Sequence, residues 1–148
     1  MISENKIKHS LGVARRCREI AVTLNMTEEE QDACFVMGLL HDIGYEKCDR
    51  IHTSIHPELS AEMIKNFIKH VDKLLPAIEN HGHKYDNINI YDQLLNSADM
   101  TIGFDGNRCT VKERLDGIKH HKGKNSNHYK NALKQVNVLF GKGELDDD

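Results

Sequence analysis

The sequence predicts an all-α domain. Apolar residues recur every three or four positions through most of the chain, Thr27 with Glu30 and Thr110 with Glu113 form capping boxes, and no segment alternates apolar and polar residues as a strand would. At 148 residues the chain suits one domain over 1–148, with a core over 4–118, a C-terminal helix over 127–141 and a polar tail at 142–148.

The first helix is expected over Glu4–Leu24, where Ile7, Leu11, Ala14, Cys17, Ile20 and Leu24 make one apolar stripe. The Thr27 box opens a second helix through Ala33, Cys34, Val36, Met37, Leu39 and Leu40. Apolar on nearly every face, it reads as the central and most buried helix, stopped by a left-handed turn at Gly44. A loop is expected from Tyr45 to Ile55. Pro57 then suits the first turn of a third helix, capped near Ser54 or His56 and burying Leu59, Met63, Ile64, Phe67 and Ile68. Pro76 starts a short fourth helix that carries Ile78 and ends near His81 and Gly82, and a loop covers Lys84 to Asn89. A fifth holds Leu94, Leu95, Ala98 and Ile102, and the Thr110 box opens a sixth with Val111, Leu115 and Ile118. His120 to Asn127 reads as a polar loop before a last helix with Tyr129, Leu133, Val136 and Phe140.

Composition narrows the function. Lys and Arg number 20 against 23 Asp and Glu, a net charge of -3, which argues against nucleic-acid binding. The N-terminal MISENKIKHS lacks the apolar stretch of a leader, and the apolar run near Phe35–Leu40 is far short of the roughly 20 residues a membrane span needs. A cytoplasmic protein without membrane attachment is expected, as a monomer or a homodimer. Cys17, Cys34, Cys48 and Cys109 form no CxxC pair, so a disulfide framework is not expected; Cys17 and Cys34 read as small core residues and the other two as ordinary thiols.

Ten histidines are many for this length. His41 and Asp42 stand at the end of the most apolar helix, where a carboxylate without a partner would be expensive to bury. A cation would resolve that, and imidazole with carboxylate suits Fe, Mn, Co or Zn. His9 in the first helix and Asp99 in the fifth can converge on the pair if those helices pack around the second.

HxxGVA at His9–Ala14, GLLHDIG at Gly38–Gly44 and SADM around Asp99 resemble the HD-domain metal-dependent phosphohydrolases over residues 7–118, and DGNRCTVKERLDGI is similar to the segment after the last Asp in small bacterial members. The resemblance implies an all-α bundle of about five core helices. It also implies a divalent metal on His9, His41, Asp42 and Asp99. Some such families place a histidine where His56 opens the third helix and another where His81 closes the fourth. The resemblance thereby implies a second ion on His56 and His81 bridged by Asp42, with His83 as the fallback ligand. Fe or Mn is favoured, and Zn, Co, Ni and Mg also fit. The sequence lacks the GYP motif of the cyclic dinucleotide branch and diverges from the dinucleoside tetraphosphate hydrolases after His81, so the resemblance names no substrate.

The chemistry expected is hydrolysis of a phosphomonoester or phosphoanhydride of a small phosphorylated molecule, a nucleotide, by hydroxide from water acidified on the cation. Asp42 would both bind metal and orient the water. Lys84, Arg108 and Arg15 are candidate phosphate contacts; the Arg15, Arg16 and Arg18 cluster has a solvated helix face as its plainer reading. His52, His70 and His128 read as surface residues. His120 and His121 read as solvated or overhanging the pocket. A nucleotide-sensing domain with little turnover and a di-iron oxygenase are the alternative functions.

Overall fold

A computed structural model describes residues 3–49, 51–65 and 74–141. Among the described residues seven α-helices run in chain order: α1 Glu4–Thr23, α2 Glu28–Leu40, α3 His56–Ile64, α4 Leu75–Asn80, α5 Ile90–Asp99, α6 Val111–Lys122 and α7 Asn127–Phe140. Short 3-10 turns cover Ile43–Lys47 and Thr53–Ile55 within the expected loop. Among the described residues the only β pairing is an isolated bridge between Ile102 and Arg108. The all-α class is as the sequence predicts.

Both expected capping boxes form, at Thr27 with Glu30 and at Thr110 with Glu113. A third, Asn89 with Asp92, starts α5. Each satisfies backbone N–H groups that a helix start leaves without partners.

Helix α1 packs along α2 and against α5. Its buried face is His9, Gly12, Val13, Ala14, Cys17 and Ala21. Ile7 and Leu24, both placed on the stripe by periodicity, are 58% and 43% exposed. The face turned inward is made of small residues because α2 lies close: a Cβ on Gly38 would stand 2.8 Å from the Ala14 Cα. Helix α2 buries Cys34, Met37 and Gly38, but Val36 and Leu39 are exposed, so it is a packed outer helix and not an enclosed one.

Cys17, Cys34, Met37, Ile64, Ile78, Leu94 and Leu95 belong to one core, drawn from α1 to α5. Met100, Val111, Leu115, Ile118, Ala132 and Val136 form a second between α6 and α7. Ile102 lies past the end of α5, and α6 continues through His120 and His121, where periodicity predicts a loop. Phe67, Ile68, His70 and the tail lie outside the described residues.

Gly44 does not end α2 in a left-handed turn; it lies inside the first 3-10 turn, where a Cβ would collide with the His56 carbonyl oxygen. Its N–H donates to Ser60 Oγ at 2.7 Å, and that hydroxyl donates to the His56 carbonyl at 2.8 Å. The segment after Asp42 is thus seated on α3. Gly44→Ala should cost about 2–3 kcal/mol in a denaturant titration. Gly117→Ala, mid-helix with only ordinary contact to Phe104, should gain about 0.5–1 kcal/mol. Equal effects at the two positions would contradict the seating.

Candidate metal centre

The N-terminal half of α1, the ends of α2 and α5, the start of α3 and the end of α4 meet at one point. His9, His41, His56 and His81 are all buried there, with Asp42 and the partly buried Asp99 between them. In each histidine Nδ1–H donates to a backbone carbonyl: His9 to Gly103 at 2.9 Å, His41 to Gly38 at 2.6 Å, His56 to Thr53 at 2.8 Å and His81 to Ile78 at 2.6 Å. A carbonyl only accepts, so Nδ1 carries a proton in all four rings and each ring turns its Nε2 inward. Metal-binding histidines are oriented in the same way.

The carboxylates complete the arrangement. Asp42 Oδ2 lies 3.2 Å from His41 Nε2 and 3.7 Å from His9 Nε2, while Oδ1 lies 3.1 Å from His56 Nε2 and 3.2 Å from His81 Nε2. Asp99 Oδ1 is 2.9 Å from His9 Nε2 and 3.4 Å from His41 Nε2. Two clusters within this group, His9–His41–Asp99 and His41–Asp42–His81, have the spacing to hold a metal ion.

These residues fit a cation for two reasons. His41 Nε2 is buried near both carboxylates but aligned with neither, and it has no hydrogen-bond partner. His56 Nε2 and His81 Nε2 face each other at 3.0 Å, although both rings already carry their proton on Nδ1. Two lone pairs opposed at that distance repel unless something positive lies between them.

Burial opposes charge on His41, but the Asp42 and Asp99 carboxylates outweigh it and raise its pKa to about 10. Burial likewise opposes charge on Asp42 and Asp99, yet His41 and the other histidines hold both well below the ordinary carboxylate range. His41 is thus a cation in the metal-free protein. Raised from 6.5 to about 10, it contributes stability that is complete below pH 6.5 and is lost as pH climbs through about 10. Chelator-treated protein should therefore weaken towards urea between those limits, and metal uptake at pH 8 should release protons, read by calorimetry in buffers of different ionisation enthalpy. Stability that rises with pH across the same window would contradict this.

A cleft of about 690 Å³, counted out to its open mouth, opens onto the cluster. Arg114 and Lys122 from α6 and His128 from α7 reach it. Arg114 Nη2 is 3.4 Å from Asp99 Oδ1, and its buried Nη1 has no partner. His128 is not a surface residue: its ring stacks at 5.6 Å on His56, and its Nε2 is 2.8 Å from the Thr53 hydroxyl. Burial first, then His56, Lys122 and Lys6, lower its pKa to about 3, so it is neutral. Lys6 Nζ sits 3.4 Å over the ring of Tyr45, which stacks on His56.

The three cations expected at the phosphate are placed elsewhere. Lys84 is paired to buried Asp92 at 2.6 Å, Arg108 is exposed near Glu19, and Arg15 is exposed on α1. His83 lines the cleft beside Glu58, at 3.1 Å. His52 is exposed and held by Asp49, while His121 lies against Phe104. Arg114 had a signal in the sequence: it shares the buried face of α6 with Val111, Leu115 and Ile118, where an arginine needs a reason. Lys122 and His128 had none, since a helix–helix corner brings them in.

The family model of the HD domain matches residues 7–102, close to two thirds of the chain. The chain belongs to the HD-domain family. HD domains bind divalent metals and are generally metal-dependent phosphohydrolases, and in this HD domain the match runs from before His9 to past Asp99. The chain is also 28% identical to ribonuclease Y of Oleidesulfovibrio alaskensis over 155 aligned residues, which cover 99% of this chain and 29% of the relative. The chain thus spans under a third of that protein's length. No solved structure matches significantly. No described helix is long and apolar enough to cross a membrane.

Proposed function

We propose that this HD domain is a metal-dependent hydrolase of a phosphomonoester or phosphoanhydride in a nucleotide, working with two divalent ions, Fe or Mn favoured. The observation that carries the reading is the division of Asp42: one carboxylate oxygen faces His9 and His41, the other faces His56 and His81. A carboxylate so placed suits a bridge between two cations. His9, His41 and Asp99 would hold one, and His56 and His81 the other.

Divalent ions held there supply Lewis acidity towards phosphoryl oxygens and water acidic enough to ionise near neutral pH. The chain supplies the rest. The carbonyl bonds to Nδ1 fix each imidazole before anything binds, so no reorientation is needed as charge develops. Arg114 Nη1 and Lys122 offer positive charge to a phosphate entering the cleft, and Arg114 is steadied by its Nε–H bond to the Asp99 carbonyl at 3.1 Å. Tyr45 and neutral His128 line the cleft beside His56 and fill space that water would otherwise occupy.

Purified protein should contain metal, and with Mn or Fe it should release phosphate from some member of a nucleotide panel. Metal-free protein with no turnover of any phosphate ester would end the reading. Tight nucleotide binding with the ligand recovered intact would favour a sensor, and oxygen-dependent turnover an oxygenase. The similarity to ribonuclease Y along nearly the whole chain supports a second reading, with RNA as the phosphodiester substrate. A 5′-labelled oligoribonucleotide separates the two: shortening of the strand favours RNA, and phosphate release from mononucleotides alone favours the first.

A further inference from the structure

One wall of the cleft holds a polar group that phosphate chemistry does not use. Gln135 on α7 lines the cleft and is 1% exposed, yet neither its Oε1 nor its Nε2 has a hydrogen-bond partner. Burying a carboxamide with nothing to bond is unfavourable, so a group of this kind at a cleft wall points to a molecule that meets it.

The rest of the wall suits a flat, partly polar ligand. His128, Asn131 and Gln135 succeed one another at spacings of three and four along α7 and all line the cleft. Asn131 Oδ1 accepts from the Tyr85 hydroxyl at 2.9 Å, which assigns its NH2 to the other side. Met100, Phe104 and Ile118 add apolar surface. A carboxamide sets one acceptor beside one donor in a plane, and its complement is a planar edge with donor and acceptor adjacent. The edge of a nucleobase is such a group, whereas phosphate and sugar hydroxyls need no such pairing. Gln135 also lies beyond the segment matched by the HD-domain model, which stops at 102.

We propose that Gln135, seconded by Asn131, recognises the base of a mononucleotide whose phosphate lies at the Asp42, Arg114 and Lys122 end of the same cleft. The placement of the phosphate rests on the hydrolase reading; the base contact does not.

The test uses the metal-loaded full chain and the four ribonucleosides, which have no phosphate to release, with ribose as reference, by calorimetry. At least one nucleoside should bind and ribose should not. Gln135→Met keeps the length of the side chain and removes both polar atoms, so it should weaken that nucleoside about tenfold or more. The unliganded variant should melt no lower than the native protein, because the amide it removes had no partner. Unchanged nucleoside affinity in the variant overturns the proposal. So does a native protein that binds no nucleoside, even if a trinucleotide binds, since the site would then belong to a strand. A lower melting temperature or loss of folding also overturns it, because Gln135 would then be an internal support. Gln135-dependent nucleoside binding without phosphate release would leave the base site standing and remove the hydrolase. Equal phosphate release from ribose 5-phosphate and from nucleotides would do the reverse.

Discussion

Asp42→Asn should leave the protein folded and lower phosphate release by at least about 1000-fold, the scale of several kcal/mol of lost Lewis-acid stabilisation. Asparagine keeps the shape of aspartate but has one oxygen where two are needed. Its NH2 can donate to the Nε2 atoms 3.1 and 3.2 Å from Oδ1, those of His56 and His81, so those lone pairs gain a donor in place of a cation. The histidines then remain oriented by Gly38, Thr53, Ile78 and Gly103 while the bridge is lost. Plasma mass spectrometry of the purified variant should find less than one ion per chain. A variant that keeps two ions and native turnover would show that Asp42 only fills space.

Removing metal from the native protein should lower its melting temperature by roughly 10 °C. At free metal about 1000 times Kd, binding contributes about 4 kcal/mol to the folded state. For a chain near 150 residues each kcal/mol is worth roughly 2–4 °C. The structural reason is the opposed His56 and His81 lone pairs, which a cation between them relieves. His56→Ala and His81→Ala should each keep one ion and part of the rise; His41→Ala should keep none. An identical melting curve after metal analysis has shown the ions gone would sever the link between ions and fold.

The sequence displayed what local physics controls. Capping boxes, proline at the starts of α3 and α4, and the helical period each act within a few residues, and the helices formed where these signals lay. The buried His41–Asp42 pair was legible because charge at the end of an apolar helix needs compensation. His9 and Asp99 were reached from the packing of their helices around the second and again through family resemblance, His56 and His81 through the resemblance alone, and the geometry brings all four to the pair. What stayed hidden depends on close approach. The inward face of α1 is chosen by room for α2, not by the largest apolar residues, so Ile7 and Leu24 face outward. Gly44 is set by the neighbouring His56 carbonyl, which no spacing reveals. Lys84, Arg108 and Arg15 were plausible by charge alone, but Lys84 has its own buried acid in Asp92, and long-range packing puts Arg114, Lys122 and His128 in the cleft instead.

Arg114 and charged His41 stand against Asp42 and Asp99, two positive groups to two negative, before any cation binds. A chain whose acids are already balanced by its own side chains does not have to wait for an ion before it collapses. Its maturation can be a late event: the polypeptide leaves the ribosome, reaches its native shape, and only then exchanges one proton for whatever divalent species its surroundings offer. Which element it carries would then reflect the supply at that moment as much as the preference of the ligands.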